Sequence, residues 1–107
     1  MRDLRIVFMG TPQFAVGVLK KLIDENCNVV GVITAPNKPA GRGRKVSQSA
    51  VKEYAISRNI PLLQPTNLKD EVFLEELKAL DANLQIVVAF RMLPKVVWQM
   101  PEFGTFN

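Results

Sequence analysis

The sequence predicts an α/β fold built on a doubly wound, mostly parallel sheet. Three observations carry that expectation. Short, nearly continuous apolar runs recur along the chain and end in turns, as strands buried on both faces do. Segments of helical period lie between them, with apolar residues spaced three and four apart. The third is composition: 107 residues, 48% hydrophobic and 22% charged, are one ordinary globular domain and not a disordered chain.

The elements follow in order. Residues 4–9, LRIVFM, form a buried strand that ends at Gly10. Thr11 is expected to cap the following helix, with Pro12 at its first position, where a missing N–H costs nothing. Phe14, Ala15, Val18, Leu19, Leu22 and Ile23 supply that helix's apolar side. Residues 28–34, NVVGVIT, are a second strand, completing a βαβ unit. After a loop over about 35–46, Ser49 caps a helix running to Asn59, with Val51, Tyr54, Ala55 and Ile56 expected inward. Residues 61–64, PLLQ, read as a short third strand. Asn67 and Asp70 resemble a loose capping box, opening a helix with Val72, Phe73, Leu77 and Leu80 on its apolar side. Residues 84–90, LQIVVAF, are a fourth strand, Pro94 starts a short helix to about Gln99, and residues 104–107 begin another strand. Strands alternating with helices in this way put helices on both faces of a parallel sheet, since crossovers are right-handed.

Charge is concentrated in one place. The chain carries 14 Lys+Arg against 10 Asp+Glu, a net of +4. Five of those cations, Lys38, Arg42, Arg44, Lys45 and Lys52, fall within residues 35–52, APNKPAGRGRKVSQSAVK, which holds no acid; the remainder has nine basic and ten acidic residues, a net of −1. Such a loop suits a polyanion better than a small neutral metabolite. Glycines on either side of Arg42 allow close backbone approach, and Pro36 and Pro39 restrict the path. No aromatic residue lies in the stretch, so phosphate contact is favoured over base stacking. On composition alone a solvated connection without a partner is an equal reading.

Ligands of open parallel sheets bind beyond the carboxyl ends of the strands, where strand order reverses. That edge comprises Gly10-Thr11-Pro12, Thr34 onward, Phe90-Arg91-Met92-Leu93 and Asn107, and the basic loop leaves from it too. The first turn lacks the glycine fingerprint of a dinucleotide site, and no acid follows the second strand. Arg91 has an equal reading as a solvated charge at a strand end; Met92 and Leu93 have one as core. Trp98 reads as packing, and Asp70, Glu71, Glu75 and Glu76 as a solvated helix face. The chain has no histidine and one cysteine, Cys27. Without the commonest general base and metal ligand, catalysis needs carboxylates, amides or backbone groups, or residues beyond this chain; no metal is expected. The lone Cys27 and the lack of a signal peptide or membrane span predict a cytoplasmic protein.

The motifs together resemble the methionyl-tRNA formyltransferase family. IVFMGTPQFA (6–15) is similar to its first strand and turn, and PNKPAGRGRK (36–45) to its basic insertion. QPTNLKD (64–70), VVAF (87–90), MLPKVV (92–97) and MPEFGTFN (100–107) follow in the family's order and spacing. The similarity covers essentially the whole chain. It implies a Rossmann-like formyltransferase fold, here truncated: residues 1–107 as the N-terminal part of the formyltransferase domain, the basic loop at about 35–48, and the C-terminal barrel domain absent. The implied reaction moves a formyl group from 10-formyltetrahydrofolate to the α-amino group of methionine on initiator tRNA. By this resemblance Arg42 contacts the tRNA acceptor end, supported by Lys38, Gly41, Arg44 and Lys45. Phe14 lies near the aminoacyl end, as does Gly41. Phe90, Arg91, Met92 and Leu93 line the folate pocket, although Phe90-Arg91 stands where some members carry Tyr-Gly. Asn107 matches the asparagine of an Asn-x-His catalytic motif, whose amide stabilises an oxyanion; the partner histidine and an aspartate would lie past residue 107. The fragment alone is then expected to be inactive and to self-associate through uncovered sheet. Other readings are a formyltransferase acting on a nucleotide-linked amine, a noncatalytic RNA-binding module, and a small-anion-binding domain.

Overall fold

A computed structural model describes residues 3–39 and 46–107. Five parallel strands form the main sheet: β1 (Arg5–Gly10), β2 (Asn28–Ile33), β5 (Leu62–Leu63), β6 (Leu84–Val88) and β7 (Thr105–Phe106), in spatial order β5-β2-β1-β6-β7. A separate antiparallel ribbon pairs β3 (Lys38–Pro39) with β4 (Val46–Ser47). Helices α1 (Gln13–Asp24), α2 (Ala50–Ser57), α3 (Glu71–Ala79) and α4 (Lys95–Trp98) make the crossovers. The chain begins at the centre, steps outward through β2 to β5, then returns across β1 to β6 and β7. Reversing the direction of travel places later helices on the opposite face when every crossover is right-handed, and the packing follows that rule.

Alternation along the central strands divides the core in two. Val7, Met9, Ile33 and Val87 point to one face, where Leu68, Phe73 and Leu77 from the α3 region and Val97 of α4 cover them. Phe8 and Val32 point to the other, under Ala15 and Leu19 of α1 and Val51 and Ala55 of α2. All of β1 from Ile6 to Gly10 is buried, which is why its sequence is apolar throughout. The β1/β2 register shifts between Ile6 and Val7. Val29 and Val30 therefore face opposite layers, yet Val32 joins Val29's layer and Ile33 joins Val30's. One extra residue in a strand exchanges its faces. Gly31 sits at that irregularity, and a Cβ there would stand 2.5 Å from Leu80 Cδ1.

Helix termini depart from the expectations in informative ways. Pro12, not Thr11, is the N-cap of α1, and that helix has no side-chain cap. The Thr11 hydroxyl is engaged elsewhere, accepting from Ala35 N at 3.3 Å. Ser49 caps α2 as expected, accepting from Lys52 N at 2.9 Å, but the helix stops at Ser57 because Asn59 takes a left-handed φ of 57°. For α3 the cap is Asp70, accepting from Phe73 N at 3.0 Å. Asn67 instead closes a tight turn one step earlier by accepting from Lys69 N at 2.9 Å, so no capping box forms. Several residues assigned to apolar helix faces point outward: Phe14 (61% exposed), Ile56 (55%) and Val72 (66%).

At the amino ends of the strands, buried Asn83 is bonded through both of its amide heavy atoms. Its Oδ1 accepts from Arg5 N at 2.7 Å and its Nδ2 donates to Asp3 O at 2.7 Å. The opposite end of the sheet carries the site.

Candidate functional site

β1 and β6 are neighbours whose following connections diverge to opposite faces, so a crevice opens beyond Gly10 and Val88. Two of the hollows along that edge meet at Phe90 and Arg91. One, of about 370 Å³, is bounded by Thr11, Ala35, Pro36, Ala89, Phe90 and Arg91. The second, of about 540 Å³, is lined by Val87, Phe90, Arg91, Met92, Leu93, Trp98, Thr105 and Asn107. The four residues expected at a cofactor wall and the expected catalytic asparagine thus meet in one cavity. Gly10 permits the close approach at its rim, since a Cβ there would lie 2.8 Å from Val88 O and 3.0 Å from Ala15 Cβ.

The wall after β6 is built by a sharp change of direction. Ala89 has a φ of 51°, a left-handed conformation that costs an L-residue about 1 kcal/mol. It ends the strand two residues earlier than the apolar run suggests and turns residues 90–93 across the edge. Arg91 is not a solvated charge: Nη2 donates to Pro65 O at 2.6 Å and Nη1 to Thr66 O at 3.0 Å. Its guanidinium lies 5.0 Å from the Phe90 ring centroid, and its buried Nε has no hydrogen-bond partner among the described residues. Met92 is 94% exposed, so it is not core. Trp98, 45% exposed, forms cavity wall as well as packing. Thr105 Oγ1 lies 2.8 Å from Trp98 O and 2.9 Å from Gln85 Oε1, fixing β7 and the approach to Asn107.

The base of the basic loop is tied to the same edge. Buried Thr34 shares a 2.8 Å hydrogen bond with Ser49, linking the end of β2 to the start of α2. Gln64 Nε2 donates to Ala35 O at 3.0 Å and to Asn37 Oδ1 at 3.1 Å, and Lys52 Nζ donates to the same Asn37 oxygen at 3.1 Å. Lys38 enters the ribbon through its backbone. Gly41, Arg42, Arg44 and Lys45 lie outside the described residues. Phe14 stands exposed on the first turn of α1, which starts from this edge. Neither the Ala89 turn nor the Gln64 and Arg91 ties was expected from sequence. For Ala89 the apolar run giving way to Arg91 was the available signal; for Gln64 there was none beyond its place after Leu62-Leu63.

Among the described residues no three His, Cys, Asp or Glu side chains are grouped to hold a metal ion. No helix among them is long and apolar enough to cross a membrane.

A sequence-family model described as formyl transferase matches residues 4–107. The chain belongs to the formyl transferase family. Among curated relatives, methionyl-tRNA formyltransferase of Flavobacterium johnsoniae is 73% identical over 107 residues, covering all of this chain and 34% of that protein. The enzyme of that name from Flavobacterium psychrophilum is 68% identical over 108 residues, and that from Bacteroides thetaiotaomicron 64% over 105. The chain therefore spans about a third of the length of the relatives it matches.

Proposed function

We propose that the whole protein transfers a formyl group from 10-formyltetrahydrofolate to the α-amino group of methionine on initiator tRNA, in the cytoplasm. The observation that carries this reading is the single cavity shared by residues 90–93 and Asn107, in a chain so similar to enzymes of that name. Its volume of about 540 Å³ lies within the usual range for small-molecule sites. Phe90 and Trp98 offer aromatic surface for a heterocycle, Leu93 adds apolar contact, and Asn107 offers a polar amide, so the residues fit the donor. When bound, the donor supplies the formyl carbon.

This chain's own residues then orient and stabilise. The Asn107 amide donates toward the formyl oxygen as it gains charge under attack by the amine. The amine must lose a proton; these 107 residues hold no histidine, and on the Asn-x-His resemblance the base is the histidine that would follow Asn107. Residues 90–93 hold the donor against the sheet edge. Arg42, with Lys38, Gly41, Arg44 and Lys45, engages tRNA phosphates, arginine by its bidentate fork, while Phe14 faces the aminoacyl end.

Formylation of charged initiator tRNA by the whole protein, followed with labelled donor, tests the reading. Transfer to a ribonucleotide amine instead of methionyl-tRNA would overturn it. The 107-residue chain alone is expected to show no turnover and to associate through edge strand β7 beside exposed Phe106, Trp98 and Met92; activity assay and sedimentation check both.

A further inference from the structure

Resting on the donor-pocket reading above, we infer that Arg91 is a positioning residue for that pocket, pinning its 90–93 wall to the backbone of Pro65 and Thr66. The geometry argues for this in three ways. First, the guanidinium spans two successive carbonyls, Pro65 O at 2.6 Å and Thr66 O at 3.0 Å; its planar fork presents both N–H groups in fixed geometry, where a lysine ammonium has rotatable donors on a flexible stem. Second, the segment has little else to hold it. It leaves β6 through the left-handed Ala89, with a φ of 51°, and such a conformation persists only where the surroundings enforce it. Met92 contributes no burial at 94% exposed, which leaves Phe90 and Leu93, both only partly buried. Third, Arg91 borders both of the hollows that Phe90 lines, and its guanidinium lies over the Phe90 ring, 5.0 Å from the centroid. No carboxylate pairs with it among the described residues, so its fork serves the backbone of a neighbouring loop.

The test is steady-state formyl transfer by the whole protein, with donor and charged tRNA varied separately. Arg91→Ala is expected to raise the donor KM roughly ten-fold while kcat and the tRNA KM stay within about two-fold. Arg91→Lys, which can keep one of the two hydrogen bonds, is expected to fall between, and it carries the test if Arg91→Ala does not fold. A donor KM within about two-fold of wild type in the folded variants overturns the inference. So does a fall of kcat and rise of both KM values in step with a lowered melting temperature, which is the signature of a purely structural residue. A wild-type protein that transfers no formyl group overturns the functional reading and this inference with it; an active wild type with an indifferent Arg91 overturns the inference alone.

Discussion

Single atoms decide two outcomes here. Asn107 lines the larger hollow; on the proposed function its amide is an oxyanion donor, and removing one such donor costs about 10²–10³ in kcat. Asn107→Ala in the whole protein is therefore expected to lose turnover on that scale with substrate KM little changed, measured by initial rates of tRNA formylation. Gly10 is constrained differently. A methyl group there would press on Val88 O at 2.8 Å and Ala15 Cβ at 3.0 Å, and backbone on that side cannot swing away as a side-chain tip can. Gly10→Ala should destabilise by about 2 kcal/mol through overpacking, read as a lower urea midpoint with unchanged m-value. Apolar type was legible at this scale, and partnership was not. Arg91 read as a solvated charge as readily as a pocket residue, because its carbonyl acceptors lie 25 and 26 positions away.

Elements were legible wherever burial and local chemistry agreed. β1 announces itself because both faces are covered, and β6 because one face is buried and the other partly so; Ser49 acts as the cap its position suggests. Errors cluster at helix starts, where two polar residues compete for the same role. Asn67 and Asp70 each accept a backbone N–H, yet only Asp70 bonds inside α3. Asp70→Ala is accordingly expected to cost about 1 kcal/mol, and Asn67→Ala clearly less, by chemical denaturation. Faces were misread for a related reason. Phe14 and Val72 sit in the first turns of α1 and α3, where the helix has not yet come over the sheet, so periodicity assigns them inward while the entry angle leaves them in solvent.

At the scale of the whole molecule, charge and topology converge. Arg42, Arg44 and Lys45 belong to the connection between β3 and β4, and the base of that connection is tied to the sheet edge through Thr34, Asn37 and Gln64. If about four phosphates are neutralised, log affinity for tRNA should fall against log salt with a slope of about −3 to −3.5. Arg42→Ala should flatten that slope by roughly 1, measured by titration at several ionic strengths. A response independent of salt would remove the phosphate-contact reading.

By itself the sequence determined the alternation of strands and helices, the place of the excess positive charge and the family. All of these depend on near-neighbour chemistry: which residues are apolar, how often they recur, and which turns interrupt them. Only the tertiary structure decided that Ala89 ends its strand in a left-handed turn, that β2 exchanges faces at Gly31, and that Arg91 and Gln64 reach across to distant backbone. Each of those depends on what a residue meets after the chain has folded back. A linear pattern carries no record of such meetings.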